Sequence, residues 1–326
     1  MTDVANHIGV SRATVSYAFT SPGRLSPDML SRVRAAVDEL GYVRNTVARQ
    51  LRVGRSQAIA FIVSNASNPH YGELALGAGD EAARTGHVVL IADSHENLDR
   101  EREFIAFFAE QRVAGIMIAP IGEVPPELLD LQERGTPFVL VGVPPSPQAY
   151  PSISGDNVVG GYLATRHLID QGRRRLLVVG GTHLNVDSRR EGARRALAEL
   201  GGEGAIEFIE VERQTAALGE DVARRLLARG RDLPDGIFAG NDLLALGMLN
   251  VLIKAGVAVP EQVSLVGYDD IEFAGFAIVP LTTIRHPSDI VGASGVRMIL
   301  GEEEHSHGVE PRFAPKLVIR GTSLPG

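Results

Sequence analysis

The sequence contains no cysteine, which excludes disulfides, thiolate metal sites and cysteine nucleophiles together. No stretch approaches the ~18 uninterrupted apolar residues that a membrane helix needs. The opening residues, Met1-Thr2-Asp3-Val4-Ala5, lack the basic segment and apolar run of an export signal, so a cytoplasmic protein is expected. Catalytic signatures are missing as well: there is no Gly-x-Ser-x-Gly elbow, no Gly-x-x-x-x-Gly-Lys phosphate loop and no His-Glu-x-x-His pair. A chain without a converging acid, base or nucleophile does not read as an enzyme. Charge is low at 22% while 44% of residues are hydrophobic, a balance that supports a packed globular chain rather than a disordered one. At 326 residues two or three compact units are expected, taking about 150 residues per domain as a soft guide.

What is present is unevenly distributed. The net charge is -8, yet residues 1–57 hold eight arginines against four acids, an excess of four positive charges. The remainder holds 24 basic and 36 acidic side chains, an excess of twelve negative charges. A basic head on an acidic body suits a protein that presents only its head to phosphate.

In that head Val4, Ala5 and Ile8 have helical spacing, and Gly9-Val10 breaks the pattern. Ser11 is a good N-cap for a second helix with Val15, Ala18 and Phe19 inside and Arg12, Ala13, Ser16 and Tyr17 outside. Ser26-Pro27 starts a third helix with the stripe Leu30, Val33, Val37 and Leu40, ended by Gly41. Two short helices across a glycine turn read as helix-turn-helix, whose second helix enters the major groove. Arg12, Ala13 and Tyr17 are then the base readers, and Ser11, Thr14, Ser16 and Asn45 the phosphate contacts. A plain three-helix module with solvated arginines is the competing reading. In residues 45–53, Val47 and Leu51 form an apolar strip flanked by arginines, with Ala48 beside it. This segment is too short to be a helix alone. It is expected to order when two copies pack on DNA, with Leu51 wedged into the minor groove; the alternative is a linker helix lying on the core.

From Gln57 onward short apolar runs alternate with amphipathic segments, which is βαβ punctuation. Strands are expected at 58–63, 88–92, 115–119 and 138–141, with helices near 71–85, 99–111 and 126–134. A helix at 157–171 opens a second set, with strands at 176–179, 206–209, 236–239 and 264–267. The fold class is an all-α helix-turn-helix head with a hinge helix, followed by an α/β core of two doubly wound parallel-sheet subdomains, laid out like a periplasmic binding protein. The expected division is 1–44 for the head, 45–57 for hinge and linker, and 58–326 for the core. Within the core, one subdomain takes about 58–156 and 288–315 and the other about 157–284 and 316–326.

Ligands of such sheets bind beyond the carboxyl ends of the strands, and two facing sheets make a cleft there. The candidates are Asn68, His70 and Tyr71, then Asp93 and Ser94, Asn241 and Asp242, Asp269 and Asp270, and the cation Arg189. A strand-end Asp caps the next helix as readily as it binds a ligand, and Arg189 alone reads equally as a surface arginine. Glu302-Glu303-Glu304-His305-Ser306-His307 offers metal donors, but a solvated loop is the plainer reading; no metal or cofactor is expected.

Thr2-Asp3-Val4-Ala5, Gly9-Val10-Ser11, Ala13-Thr14-Val15-Ser16, Leu40-Gly41-Tyr42 and Ala48-Arg49-Gln50-Leu51 together resemble the head of the lactose-repressor (LacI/GalR-type) family. Asn68-Pro69-His70-Tyr71, Arg189-Arg190-Glu191-Gly192, Gly240-Asn241-Asp242, Gly267-Tyr268-Asp269-Asp270 and Pro280-Leu281-Thr282-Thr283-Ile284-Arg285 are similar to its effector core. The resemblance implies a transcription regulator, by default a repressor, that binds palindromic operator DNA as a homodimer and responds to a small effector. It implies that Leu51 is the minor-groove leucine, that His70, Tyr71, Arg189, Asn241 and Asp269 line the effector cleft, and that residues around 284–288 cross between subdomains. Asp93 joins them as a strand-end carboxylate. Departures from the family are Tyr17, where basic residues are common, His70 in place of an aromatic, Gln214 in place of a stacking aromatic, and the apolar Val141-Gly142-Val143. The chain starts close to its first helix, and it ends without a heptad segment, which favours a dimer over a tetramer. Asp, Asn and Arg suit hydroxyl-rich ligands, so a sugar is the expected effector. The alternative is a sugar-binding protein of a transport system, against which the basic head and absent export signal argue.

Overall fold

The computed structural model describes residues 1–42, 56–143, 150–181, 184–199, 204–230, 232–303 and 313–324. The chain divides into two compact units, Met1–Arg55 and Ser56–Gly326.

The first unit is helical. Helix α1 (Thr2–Ile8) ends where Gly9 adopts a left-handed φ of 67°, a conformation that a side chain would strain. Helix α2 (Arg12–Thr20) starts on Ser11, whose hydroxyl accepts the Thr14 N–H at 3.0 Å. A 3₁₀ turn (Pro22–Arg24) leads to α3 (Pro27–Glu39), capped by Ser26 with Pro27 at its first position. Val4, Ala5, Val15, Val33 and Ala36 form the buried centre, with Ala18, Phe19 and Val37 packed against it. One position differs from the periodicity: Leu40 lies beyond the last helical residue as the C-cap and is 42% exposed, while the helix buries Ala36 instead. The hinge positions Asn45, Ala48 and Leu51 lie outside the described residues.

The second unit holds two parallel sheets. In the first, β1 (Ala58–Val63), β2 (Val88–Asp93), β3 (Gly115–Ile118), β4 (Phe138–Val141) and β5 (Ser152–Ile153) lie in the order β2-β1-β3-β4-β5. Helices α4 (Pro69–Arg84), α5 (Leu98–Glu110) and α6 (Pro126–Glu133) connect them. The chain then passes through α7 (Asn157–Asp170) into β6 (Arg175–Gly180), α8 (Leu184–Ala198), β7 (Ala205–Glu210), α9 (Ala216–Ala228), β8 (Gly236–Ala239), α10 (Asp242–Lys254) and β9 (Ser264–Val266). The second sheet runs β7-β6-β8-β9, the same winding as the first. After a short α11 (Glu272–Phe276), β10 (Thr283–Arg285) leads to α12 (Ser288–Leu300), and β11 (Lys316–Val318) pairs antiparallel with β10. Helix α12 packs on the first sheet, with Val291, Val296 and Ile299 in the same core cluster as Ile59, Phe61 and Val139. The chain therefore crosses from sheet to sheet after β5, after β10 and again before β11.

Continuous apolar runs explain the central strands. Phe61 and Ile62 point to opposite faces and are both fully buried, each contributing about 1.5–3 kcal/mol by transfer from water. Three helix pairs meet backbone to backbone across reciprocal glycines. A Cβ on Gly77 would lie 1.9 Å from the Asp289 carbonyl and one on Gly292 2.0 Å from that of Leu74. Gly161 and Gly192 do the same for α7 and α8, and Gly219 and Gly247 for α9 and α10, at 2.0–2.1 Å. No described helix is long and apolar enough to cross a membrane.

Candidate functional site

In both sheets the winding reverses beside the first strand, between β1 and β3 and between β6 and β8. This is where loops diverge and leave a crevice beyond the strand ends. A cavity of about 70 Å³ occupies that place between the two sheets. The first sheet contributes residues after β1 and β4, and the second contributes Arg189, Gln214, Asn241 and Asp269. A second chamber of about 30 Å³ adjoins it, sharing His70 and Arg189 and reaching Asn157 and His286.

Each polar wall residue is placed by a local rule. Asn68 is the N-cap of α4, its Oδ1 accepting the His70 N–H at 3.1 Å with Pro69 next in the first turn. Its Nδ2 is thereby turned across the cleft and donates to Asp269 Oδ2 at 3.1 Å. Asp269 is held at φ 104° and Asp270 at φ 56°, two consecutive non-glycine residues in a region costing about 1–3 kcal/mol each, a strain that gathers at ligand sites. Asp270 is anchored by Arg285 and, at 2.6 Å, by Arg320. Arg189, on α8, donates to Asn157 Oδ1 at 2.9 Å and to the Gly240 carbonyl, and its guanidinium lies 3.5 Å from the Tyr268 ring centre. The buried guanidinium is thus fixed by two hydrogen bonds and a cation–π contact.

Electrostatics follow from burial. Desolvation lowers the His70 imidazole to about 4, the effect of Asp269 being too small to restore it. Burial works to raise the Asp269 carboxyl, but His70, His286 and the Arg189 cation outweigh it and hold it at about 2. Burial lifts Tyr71 and Tyr268 to about 12, so both are neutral phenols, and the Tyr71 hydroxyl bonds Ser64 at 2.6 Å. The cleft thus sets the Asp269 carboxylate and the Arg189 guanidinium among a neutral His70 imidazole and two neutral phenols.

Of the residues singled out from sequence, His70, Tyr71, Arg189, Asn241 and Asp269 share the cavity wall. Asp93 does not: its Oδ1 accepts the His95 N–H at 2.7 Å in the turn after β2. Asn241 also caps α10 through the Leu244 N–H at 2.9 Å, while its Nδ2 donates to the Gln214 carbonyl at 3.1 Å. Asp242 accepts from the Ile271 N–H and the Thr283 hydroxyl and braces the β9–β10 region. Ser94 donates to the Val63 carbonyl at 3.2 Å. Sequence reasoning missed Glu96, which receives a hydrogen bond from Asn65 at 3.2 Å and lies 3.7 Å from Arg213 of the other subdomain. It also missed His286, whose place follows only from the crossing after β10. In the first unit, Ser11, Arg12, Ala13 and Tyr17 lie on the outer side of the α2 start, Thr14 and Ser16 beside them.

Comparison with known proteins joins the two units. Residues 1–45 match the family "Bacterial regulatory proteins, lacI family", and residues 165–323 match "Periplasmic binding protein-like domain". The HTH-type transcriptional repressor PurR of Photobacterium profundum is 30% identical, the alignment covering 98% of this chain and 96% of the relative. The structure of a transcriptional regulator CelR–cellobiose complex aligns with a TM-score of 0.70 at 30% identity, over 98% of each chain. The Lac repressor dimer bound to operator and the anti-inducer ONPF aligns with a TM-score of 0.83 at 25% identity, over 99% of this chain and 98% of that one. With a helical head, two doubly wound subdomains and relatives that are repressors and regulators rather than enzymes, this chain belongs to the lacI family of DNA-binding bacterial transcription regulators.

Proposed function

We propose that this regulator is a repressor whose affinity for a palindromic operator is set by a carbohydrate held in the cleft between the core subdomains. The observation that carries the reading is the Asn68–Asp269 hydrogen bond across a cavity walled by Arg189, Asn241 and Gln214. A hydroxyl-rich ligand can exchange that bond for paired contacts to both subdomains, Asp269 accepting and Asn68 donating. Gln214 lines the same cavity, and its buried Oε1 has no hydrogen-bond partner among the described residues. The cellobiose complex of CelR supports the class of ligand, and the operator-bound Lac repressor dimer supports the homodimer and the DNA partner.

In this reading Arg12, Ala13 and Tyr17 meet base edges, Ser11, Thr14, Ser16 and Asn45 meet phosphates, and Ala48 and Leu51 work in the minor groove. The effector changes the closure of the cleft, shifts the first subdomains of the dimer against each other, and so favours or disrupts the paired hinge segments. The head is taken as 1–44, the hinge and linker as 45–57 and the core as 58–326.

Fluorescence anisotropy of the full-length protein on its own upstream DNA, at fixed salt and with a panel of sugars and nucleosides, tests this. One sugar should alter saturable binding to a palindromic site. A response confined to a nucleoside would replace the carbohydrate, and no preference over random DNA would remove the repressor reading.

A further inference from the structure

We infer that the cleft carries a divalent transition-metal site built from His70, Asp269 and His286. One donor atom from each lies within 4.8 Å of the others, although the residues come from the start of α4, the loop after β9 and the crossing after β10.

His286 supplies the independent observation. Its side chain is 8% exposed, and neither ring nitrogen has a hydrogen-bond partner among the described residues. Leaving such a group unsatisfied costs about 1–3 kcal/mol. Its Nε2 stands 3.6 Å from Asp269 Oδ1, too long for a hydrogen bond but close to the roughly 3.3 Å between two donors each about 2.0–2.1 Å from a tetrahedral ion. The third donor is a ring nitrogen of His70, within 4.8 Å of the other two.

The surroundings of His70 have the form expected of a ligand. Ser288 Oγ lies 3.1 Å from His70 Nδ1 and 3.4 Å from the His286 carbonyl oxygen; in the metal-binding form of the site the hydroxyl accepts from Nδ1. His70 then carries its proton on Nδ1 and leaves the Nε2 lone pair free, the arrangement by which an outer hydrogen bond orients a metal-binding imidazole.

Two imidazoles and one carboxylate select Zn²⁺, Co²⁺ or Ni²⁺ over the oxygen-seeking Mg²⁺ and Ca²⁺. Arg189 opposes the added charge, and the Asp269 carboxylate among the ligands offsets part of it; the guanidinium itself is held by Asn157, the Gly240 carbonyl and Tyr268. Three protein donors leave a coordination position for water or a ligand oxygen. The role of the ion as a partner of the effector rests on the reading of this cleft given above; its binding does not.

Full-length protein stripped with a chelator is titrated with Co²⁺ and read by visible ligand-field absorption. About one ion per chain, displaced by Zn²⁺, is expected. His286→Gln should weaken binding by about tenfold or more, with Ser288→Ala as the second variant if His286→Gln melts early. The double variant His305→Ala/His307→Ala should leave the signal unchanged. No saturable signal in the wild type, or one lost in His305→Ala/His307→Ala and kept in His286→Gln, overturns the site. Running the sugar panel on metal-free and metal-loaded protein separates the two claims. An effector response with no Co²⁺ signal removes the metal and keeps the effector, whereas a Co²⁺ signal with no response at all does the opposite.

Discussion

His167 shows how one buried side chain sets a pH limit away from the cleft. Its Nε2 lies 2.8 Å from Ser323 Oγ and 2.6 Å from Gln171 Nε2, and burial lowers its pKa below the ordinary 6.5, against a smaller opposing effect of Asp170. As pH falls below that ordinary value the unfolded chain takes up a proton before the folded one does. The stability due to this group is therefore complete above the ordinary value and is lost as pH falls toward the lowered one. The melting temperature, followed by differential scanning fluorimetry from about pH 8 to 5, should decline on the acid side. His167→Gln should flatten that decline; identical slopes in the two proteins would show that another group is responsible. Single residues were legible in the sequence where a local rule applied, as with Ser11 and Ser26 at helix starts. His286 was not, because its neighbours Asp269 and His70 lie far along the chain and meet it only through the crossing.

Among elements, the glycine contacts between α4 and α12 make an internally controlled test. Gly77 faces the Asp289 backbone at a distance no Cβ tolerates, whereas Gly79, two residues on in the same helix, has nothing within 4 Å of a built Cβ. Gly77→Ala should force the helices apart and cost about 1–3 kcal/mol. Gly79→Ala should gain up to about 1 kcal/mol from helix propensity alone. Urea unfolding of both variants should shift the midpoint in opposite directions, and a shared direction would contradict the packing described. These contacts were invisible from periodicity, which marks apolar faces and not close backbone approach. Strands such as β1 and β2 were legible because apolar runs rich in Ile and Val end at polar residues. The short β5, β10 and β11 carry no period to detect, and α3 stops short of Leu40 because a stripe of apolar spacing does not mark where a helix ends.

At the scale of the whole molecule, operator and effector binding separate by mutation. Leu51→Ala should weaken operator binding at least tenfold and leave effector affinity unchanged, since the substitution lies in the first unit and the cavity wall belongs wholly to the second. Asp269→Asn should do the reverse, losing the effector response while retaining operator binding. Anisotropy on DNA and calorimetry with the effector measure the two affinities independently, and equal losses in both would contradict the division of labour. The glycine-locked helix pairs bear on how a signal travels between these sites. Helices in direct backbone contact slide little, so each subdomain is mechanically stiff, and compliance is left to the narrow bundle of chain crossings. One of those crossings carries His286. On the proposed reading, a ligand that tightens around that residue should act on a crossing before it acts on a glycine-locked helix pair, and the displacement should emerge as rotation of one subdomain against the other.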